Sequence, residues 1–298
     1  MENNALMELA QAKEYEQILS VYQQYPIESI TEVADSLRNE DIYNVAMTLY
    51  QYLLEQKDSP DFHYGIGQCY GKNYDYETSL FHLKKAFDSS EARTEGSNYY
   101  AYILERSLLM DRAYEWYQKA LANGYDADDW TLSHYAYFLE KYNKREEAKI
   151  AYENVLARNP SYTWAVKRYA LFLLKDAPDE SMKLMRDALE KFPKNPFVKL
   201  NYLEYLIIRG SDEYEQYLQT LDYEHSPLPL QVLIDLFNYF GRYLVNGKSD
   251  PEKVKAYEEK AKGLKDSVHR DFDDLNELLT SKNGDMTEWK RLITFLLQ

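Results

Sequence analysis

The chain has 298 residues, a formal net charge of −15 and a pI near 4.9, with 45% hydrophobic and 29% charged residues. This balance lacks the clustered Lys and Arg that nucleic acid demands, and no apolar run reaches the roughly 18 residues of a membrane span. The opening MENNALMELAQAKEYEQ has neither a basic start nor an apolar stretch, and the single Cys69 allows no internal disulfide, so no secretory signal and a reducing cytoplasm are expected.

Beyond an opening segment, a small residue returns about every 34 positions: Ala34, Gly67, Ala101, Ala136 and Ala170. A second small residue follows each one: Ala46, Ser79, Ala113, Ala148 and Ser181. Apolar residues flank the first series at helical spacing, as in His63, Ile66, Gly67 and Tyr70, or Leu132, Tyr135, Ala136 and Leu139. A second stripe follows in each unit, for example Ala113, Tyr117 and Ala120. Each unit therefore reads as two helices in an antiparallel hairpin, with small residues where the backbones approach. Pro160 and Pro193 stop two helices. The prolines of His225-Ser226-Pro227-Leu228-Pro229 mark a joint. Beyond it, Leu230, Leu233, Leu236, Phe237 and Phe240 stripe a helix reaching about Val245. Asp250-Pro251 reads as an N-cap with proline at the first helical position. It opens a helix carrying Val254, Tyr257 and Ala261, and further helices are predicted around 268–280 and 286–297.

Ile66, Gly67, Tyr70, Ser79, Leu83 and Ala86 of one unit, and Ala148, Tyr152 and Pro160 of another, resemble the tetratricopeptide repeat (TPR). The resemblance implies an all-α fold, an α-solenoid wound as a right-handed superhelix, with a C-terminal helical capping segment. Residues 1–26 then form a degenerate half-repeat, because Tyr15, Ile18, Leu19, Tyr22, Tyr25 and Pro26 resemble a second helix. Residues 27–222 hold five clear repeats and a degenerate sixth, with Leu203 at its small position, and 223–298 form the C-terminal helical segment. The pattern departs from the family where no unit has its Trp and several have Tyr in place of Leu before the small residue.

In TPR proteins a stripe on each first helix, rotated away from the packed one, lines a concave groove. The resemblance assigns to it the candidate binding residues Tyr64, Gln68, Asn98, Tyr102, Trp130, Tyr137, Trp164 and Lys167. Glu105 and Glu140 share that stripe and are expected on a solvated face that tolerates substitution. Rigid aromatics mixed with amides suit an extended peptide or a helix. Phe197, Leu200, Ile207 and Ile208 continue the stripe and are open to two readings: groove lining, or packing beneath the C-terminal helices. A cation ladder, Lys72, Arg106, Lys141 and Lys175, is likewise open. It is either helix-end complementarity to the macrodipole or a rail for acidic ligands.

Reactive constellations are not visible. The five histidines, His63, His82, His134, His225 and His269, have no i, i+4 metal spacing, and no Cys-x-x-Cys, phosphate loop or nucleophile elbow occurs. His63 and His82 lie on paired helices and are placed where they can approach, but His63 occupies a packing position. Cys69 reads as a structural thiol beside Tyr70. No catalysis, cofactor, metal, nucleic acid or membrane insertion is therefore expected. The expected function is a cytoplasmic adaptor that binds a protein or peptide in its groove; the alternative is a regulatory sensor of a small signalling peptide.

Overall fold

The computed structural model describes residues 5–88, 95–123, 128–262, 264, 270 and 272–297, and every regular element among them is helical. None of these helices is long and apolar enough to cross a membrane. The chain divides into two units, Met1–Ala151 and Tyr152–Gln298.

The first unit opens with two short helices, α1 (Ala5–Gln11) and α2 (Tyr15–Val21), where the sequence suggested half a repeat. Longer pairs follow: α3 (Ile27–Asn39) with α4 (Tyr43–Gln56), and α5 (Pro60–Lys72) with α6 (Tyr76–Asp88). Next come α7 (Ser97–Arg106) with α8 (Met110–Asn123), then α9 (Asp129–Lys141) and α10 (Arg145–Arg158), the last of which runs past Ala151 into the second unit. The small residues lie where the helices of a pair meet. Ala34, Ala46, Ala101, Ala113, Ala136 and Ala148 are each 0% exposed. A Cβ on Gly67 would stand 2.9 Å from Leu83 Cγ, so the α5–α6 approach requires a bare backbone there. Ser79 Oγ then donates to the Gly67 carbonyl at 2.7 Å, tying one small position to the other. Tyr50, Leu83 and Tyr117 fill the remaining space from the second helices and are fully buried.

The turns inside these pairs share one geometry. Asp41, Tyr74, Leu108 and Asn143 take left-handed backbone at φ 63°, 64°, 60° and 59°. The next amide in each case reaches back five residues, as Asp75 N to Tyr70 O at 3.0 Å and Leu109 N to Leu104 O at 2.9 Å. This Schellman closure satisfies carbonyls that a helix end leaves bare. Lys13 (φ 60°) closes α1 the same way, with Glu14 N on Leu9 O at 2.9 Å.

In the second unit, α11 (Thr163–Leu173) pairs with α12 (Pro178–Lys191). Its Ser181 Oγ bonds the Ala170 carbonyl at 2.6 Å, repeating the Ser79–Gly67 relation. The sixth unit is α13 (Pro196–Arg209) with the six-residue α14 (Glu213–Leu218). Asn195 caps α13 by accepting from the amides of Phe197 and Val198. Then come α15 (Leu228–Tyr239), extended by a π-helical turn Phe240–Leu244, α16 (Pro251–Ala261), α17 (Asp273–Ser281) and α18 (Met286–Leu297). Asp250 caps α16 by accepting from Lys253 N at 3.3 Å, with Pro251 at the first helical position. Part of the helix predicted from 268, and His269, lie outside the described residues.

The last helices have a core of their own, and it includes one face of α13. Leu200, Leu203 and Ile207 are buried with Phe237, Phe240, Tyr257, Leu275, Leu279 and Trp289. Of the stripe left open by the sequence, Leu200 and Ile207 belong to this core, Ile208 packs against it, and Phe197 remains 59% exposed.

Candidate functional site

Because the first helices turn their small residues towards the second helices, the opposite stripe is left for other contacts. In the first unit, α5, α7 and α9 carry Tyr64, Gln68, Asn98, Tyr102, Trp130 and Tyr137 on it, all half-buried. Gln68 Nε2 donates to Tyr64 Oη at 2.9 Å. Tyr99 Oη donates to the Gln68 carbonyl at 3.2 Å, linking α7 to α5. Asn98 Nδ2 donates to Thr131 Oγ1 at 2.9 Å and links α7 to α9. The Tyr102 ring meets Trp130 edge-on with centroids 5.7 Å apart. His134 stacks on Trp130 at 4.1 Å and also meets Tyr102 edge-on at 5.8 Å. Burial pushes the Tyr102 hydroxyl well above its ordinary pKa, so it remains a neutral donor. His134 was missed by the register argument; its signal is the four-residue spacing from Trp130, which puts both rings on one helix face.

Three cations of the ladder stand in the last turns of their helices: Lys72 of α5, Arg106 of α7 and Lys141 of α9. Two of them also cover rings, Arg106 over Tyr76 at 5.2 Å and Lys141 over Tyr137 at 4.2 Å. Lys175 lies beyond the end of α11, exposed.

Two expectations change. Glu105 is not on a solvated face: it is 9% exposed and accepts from Tyr117 Oη at 2.9 Å. Burial raises its pKa, opposed by the Tyr117 hydrogen bond and the nearby Lys141 and Arg106. Carboxylates are therefore not confined to solvent. Lys167 also lies in the interior, its side chain 3% exposed. Its Nζ sits 3.1 Å from Glu204 Oε2 and 3.3 Å from Asp274 Oδ2. Arg168 pairs with Asp274, and Arg270 pairs with Glu204. A lysine enclosed by carboxylates of its own chain is not offered to a ligand. Trp164, one turn earlier on α11, is half-buried in the second unit.

Elsewhere, Cys69 is 0% exposed, and burial pushes its thiol up to about 12, which makes it a poor nucleophile. Among the described residues, no three His, Cys, Asp or Glu side chains converge as metal ligands.

No protein-family model and no curated protein sequence matches the chain. Solved structures do. A tetratricopeptide repeat protein from Parabacteroides merdae is 12% identical with a TM-score of 0.58, the match covering 87% of this chain and 99% of that one. PilF of Pseudomonas aeruginosa is 15% identical with a TM-score of 0.52, covering 69% and 95%. YrrB, described as a TPR protein with an unusual peptide-binding site, is 14% identical with a TM-score of 0.50, covering 66% and 96%. With its repeated helix pairs, small-residue contacts and shared turns, the chain has the tetratricopeptide-repeat fold, an all-α solenoid.

Proposed function

We propose that the chain is a non-catalytic cytoplasmic adaptor that holds a protein or peptide segment against the inner face of α5, α7 and α9. The observation that carries this reading is a contrast between the units. In the first, half-buried Tyr64, Tyr102, Trp130 and Tyr137 run across successive first helices. In the second, Leu200, Glu204 and Ile207 of α13 are covered by the chain's own later residues. Half-buried rings need little further ordering on binding, which is why aromatic residues recur as interface anchors.

The test is site-specific cross-linking in the full chain. A photoreactive phenylalanine analogue at Tyr102 should capture a defined partner segment, whereas the same group at exposed Phe81 on α6 should not. Tyr102→Ala with Tyr137→Ala should weaken capture by ~2 kcal/mol or more with helical circular dichroism unchanged. Cross-linking from Phe81 and not Tyr102 would move the site elsewhere.

A further inference from the structure

Within the second unit, a cavity of about 250 Å³ opens between the starts of α13 and α15 and the segment that follows α14. Its apolar lining is Leu200 and Ile234, both buried, with half-buried Leu221 and Leu230. Its charged rim is Lys194, Lys199, Asp222 and His225. Asp222 already has a partner: its carboxylate lies 2.8 Å from His225 Nδ1, and that hydrogen bond holds its pKa below the ordinary value. The exposed Lys194 ammonium makes no hydrogen bond or ion pair among the described residues. Two lysines against one engaged carboxylate leave this rim positive, in a chain whose net charge is −15. Pro196 and Pro227 also line the space and stand at the starts of α13 and α15, so the positive ends of two helix dipoles lie beside it.

We infer that this cavity binds a small monocarboxylate with an apolar tail, the carboxylate held by Lys194 and Lys199 and the tail lying against Leu200, Leu221, Leu230 and Ile234. The site belongs to the other unit from the docking face and does not depend on that reading. Small-molecule sites combine an apolar lining with a few charged groups that fix orientation. A cavity of about 150 Å³ accepts one benzene molecule, so this one admits a chain of roughly six to ten carbons. An inorganic anion would leave the leucines facing water, and a neutral alcohol would leave the lysines without a charged acceptor. The two halves of the lining together select an amphipathic acid.

The probe is octanoate, titrated calorimetrically into the full chain below its micellar range. It should bind saturably, whereas acetate, which lacks the tail, and octylammonium, which reverses the charge, should not. The overall field of this acidic chain works the other way, drawing cations and repelling anions, so a preference for octanoate reports the local lysines. Octanol binding as tightly as octanoate would overturn the charge assignment. Lys194→Glu with Lys199→Glu should weaken octanoate binding roughly tenfold or more, with helical circular dichroism unchanged. Lys248→Glu with Lys282→Glu, both exposed and outside the lining, makes the same change in net charge and should alter binding less than about twofold. Equal losses from the two double variants would overturn the inference, as would no binding of octanoate at all. A capped tripeptide ending in leucine that bound more tightly than octanoate would assign the cavity to a peptide C-terminus and overturn the small-molecule reading.

Discussion

The Nδ1 atoms of His63 on α5 and His82 on α6 lie 2.8 Å apart, and His63 Nε2 lies 2.8 Å from Asp58 Oδ1. A carboxylate accepts only from N–H, so neutral His63 carries its hydrogen on Nε2, and His82 Nδ1–H donates to His63 Nδ1. This interlocks the two helices of one repeat through an N–H···N bond that is lost once both rings are protonated.

The pair sets a pH dependence. Burial lowers the proton affinity of both rings; at His82, a charge on His63 and nearby Lys85 add to it, bringing it from 6.5 down to about 4. Between those values the unfolded histidine is protonated and the folded one is not. The pair's contribution is therefore fully present above about pH 6.5 and is lost as pH falls towards 4. Urea midpoints should be lower at about pH 5.5 than at about pH 7.5, and His82→Gln should shrink the difference. An unchanged difference in the variant would exclude the pair as its source.

The repeat register makes a second prediction. Ala101→Leu and Ala136→Leu insert volume where helices meet and should cost typically ~1–3 kcal/mol. Glu105→Leu should also destabilise, by about 1–3 kcal/mol, because it strands the buried Tyr117 hydroxyl. Glu105→Gln keeps an acceptor there and should cost less than Glu105→Leu. Chemical denaturation of the four variants decides whether burial or hydrogen bonding dominates at this position.

Leu108 is 83% exposed and sits at φ 60°, where a Cβ is strained. Leu108→Gly should therefore stabilise the chain by up to ~1 kcal/mol, after the larger unfolded-state entropy of glycine is deducted. Asn143→Gly, at φ 59°, should gain less, since asparagine tolerates this region. A loss at Leu108 would mean that its exposed side chain has a packing role.

Among the described residues, the buried cluster of the second unit has three cations, Lys167, Arg168 and Arg270, against two carboxylates, Glu204 and Asp274. Lys167→Met leaves each carboxylate with an arginine and should cost little. Glu204→Met removes the carboxylate that pairs with both Lys167 and Arg270 and should cost about 3–5 kcal/mol, the usual penalty for breaking a buried pair. Thermal melts of the two variants test the ranking, and equal losses would refute it.

The sequence by itself determined the period, the helix pairs and the contact positions. Ala101 and Ala136 recur where backbones meet, and Asp250-Pro251 announces the start of α16, because these signals act between residues near in sequence. The aromatic stripe on α5, α7 and α9 was legible from the same register. Tertiary structure decided which of its members stay half-buried and which are enclosed. Lys167 holds a stripe position on α11, yet Asp274, far along the chain, encloses it. Glu105 shares a stripe with Tyr102, but Tyr117 and burial take it out of water. Helical periodicity reports which face meets the next helix; what covers the other face depends on a distant segment folding back, and periodicity carries no record of that.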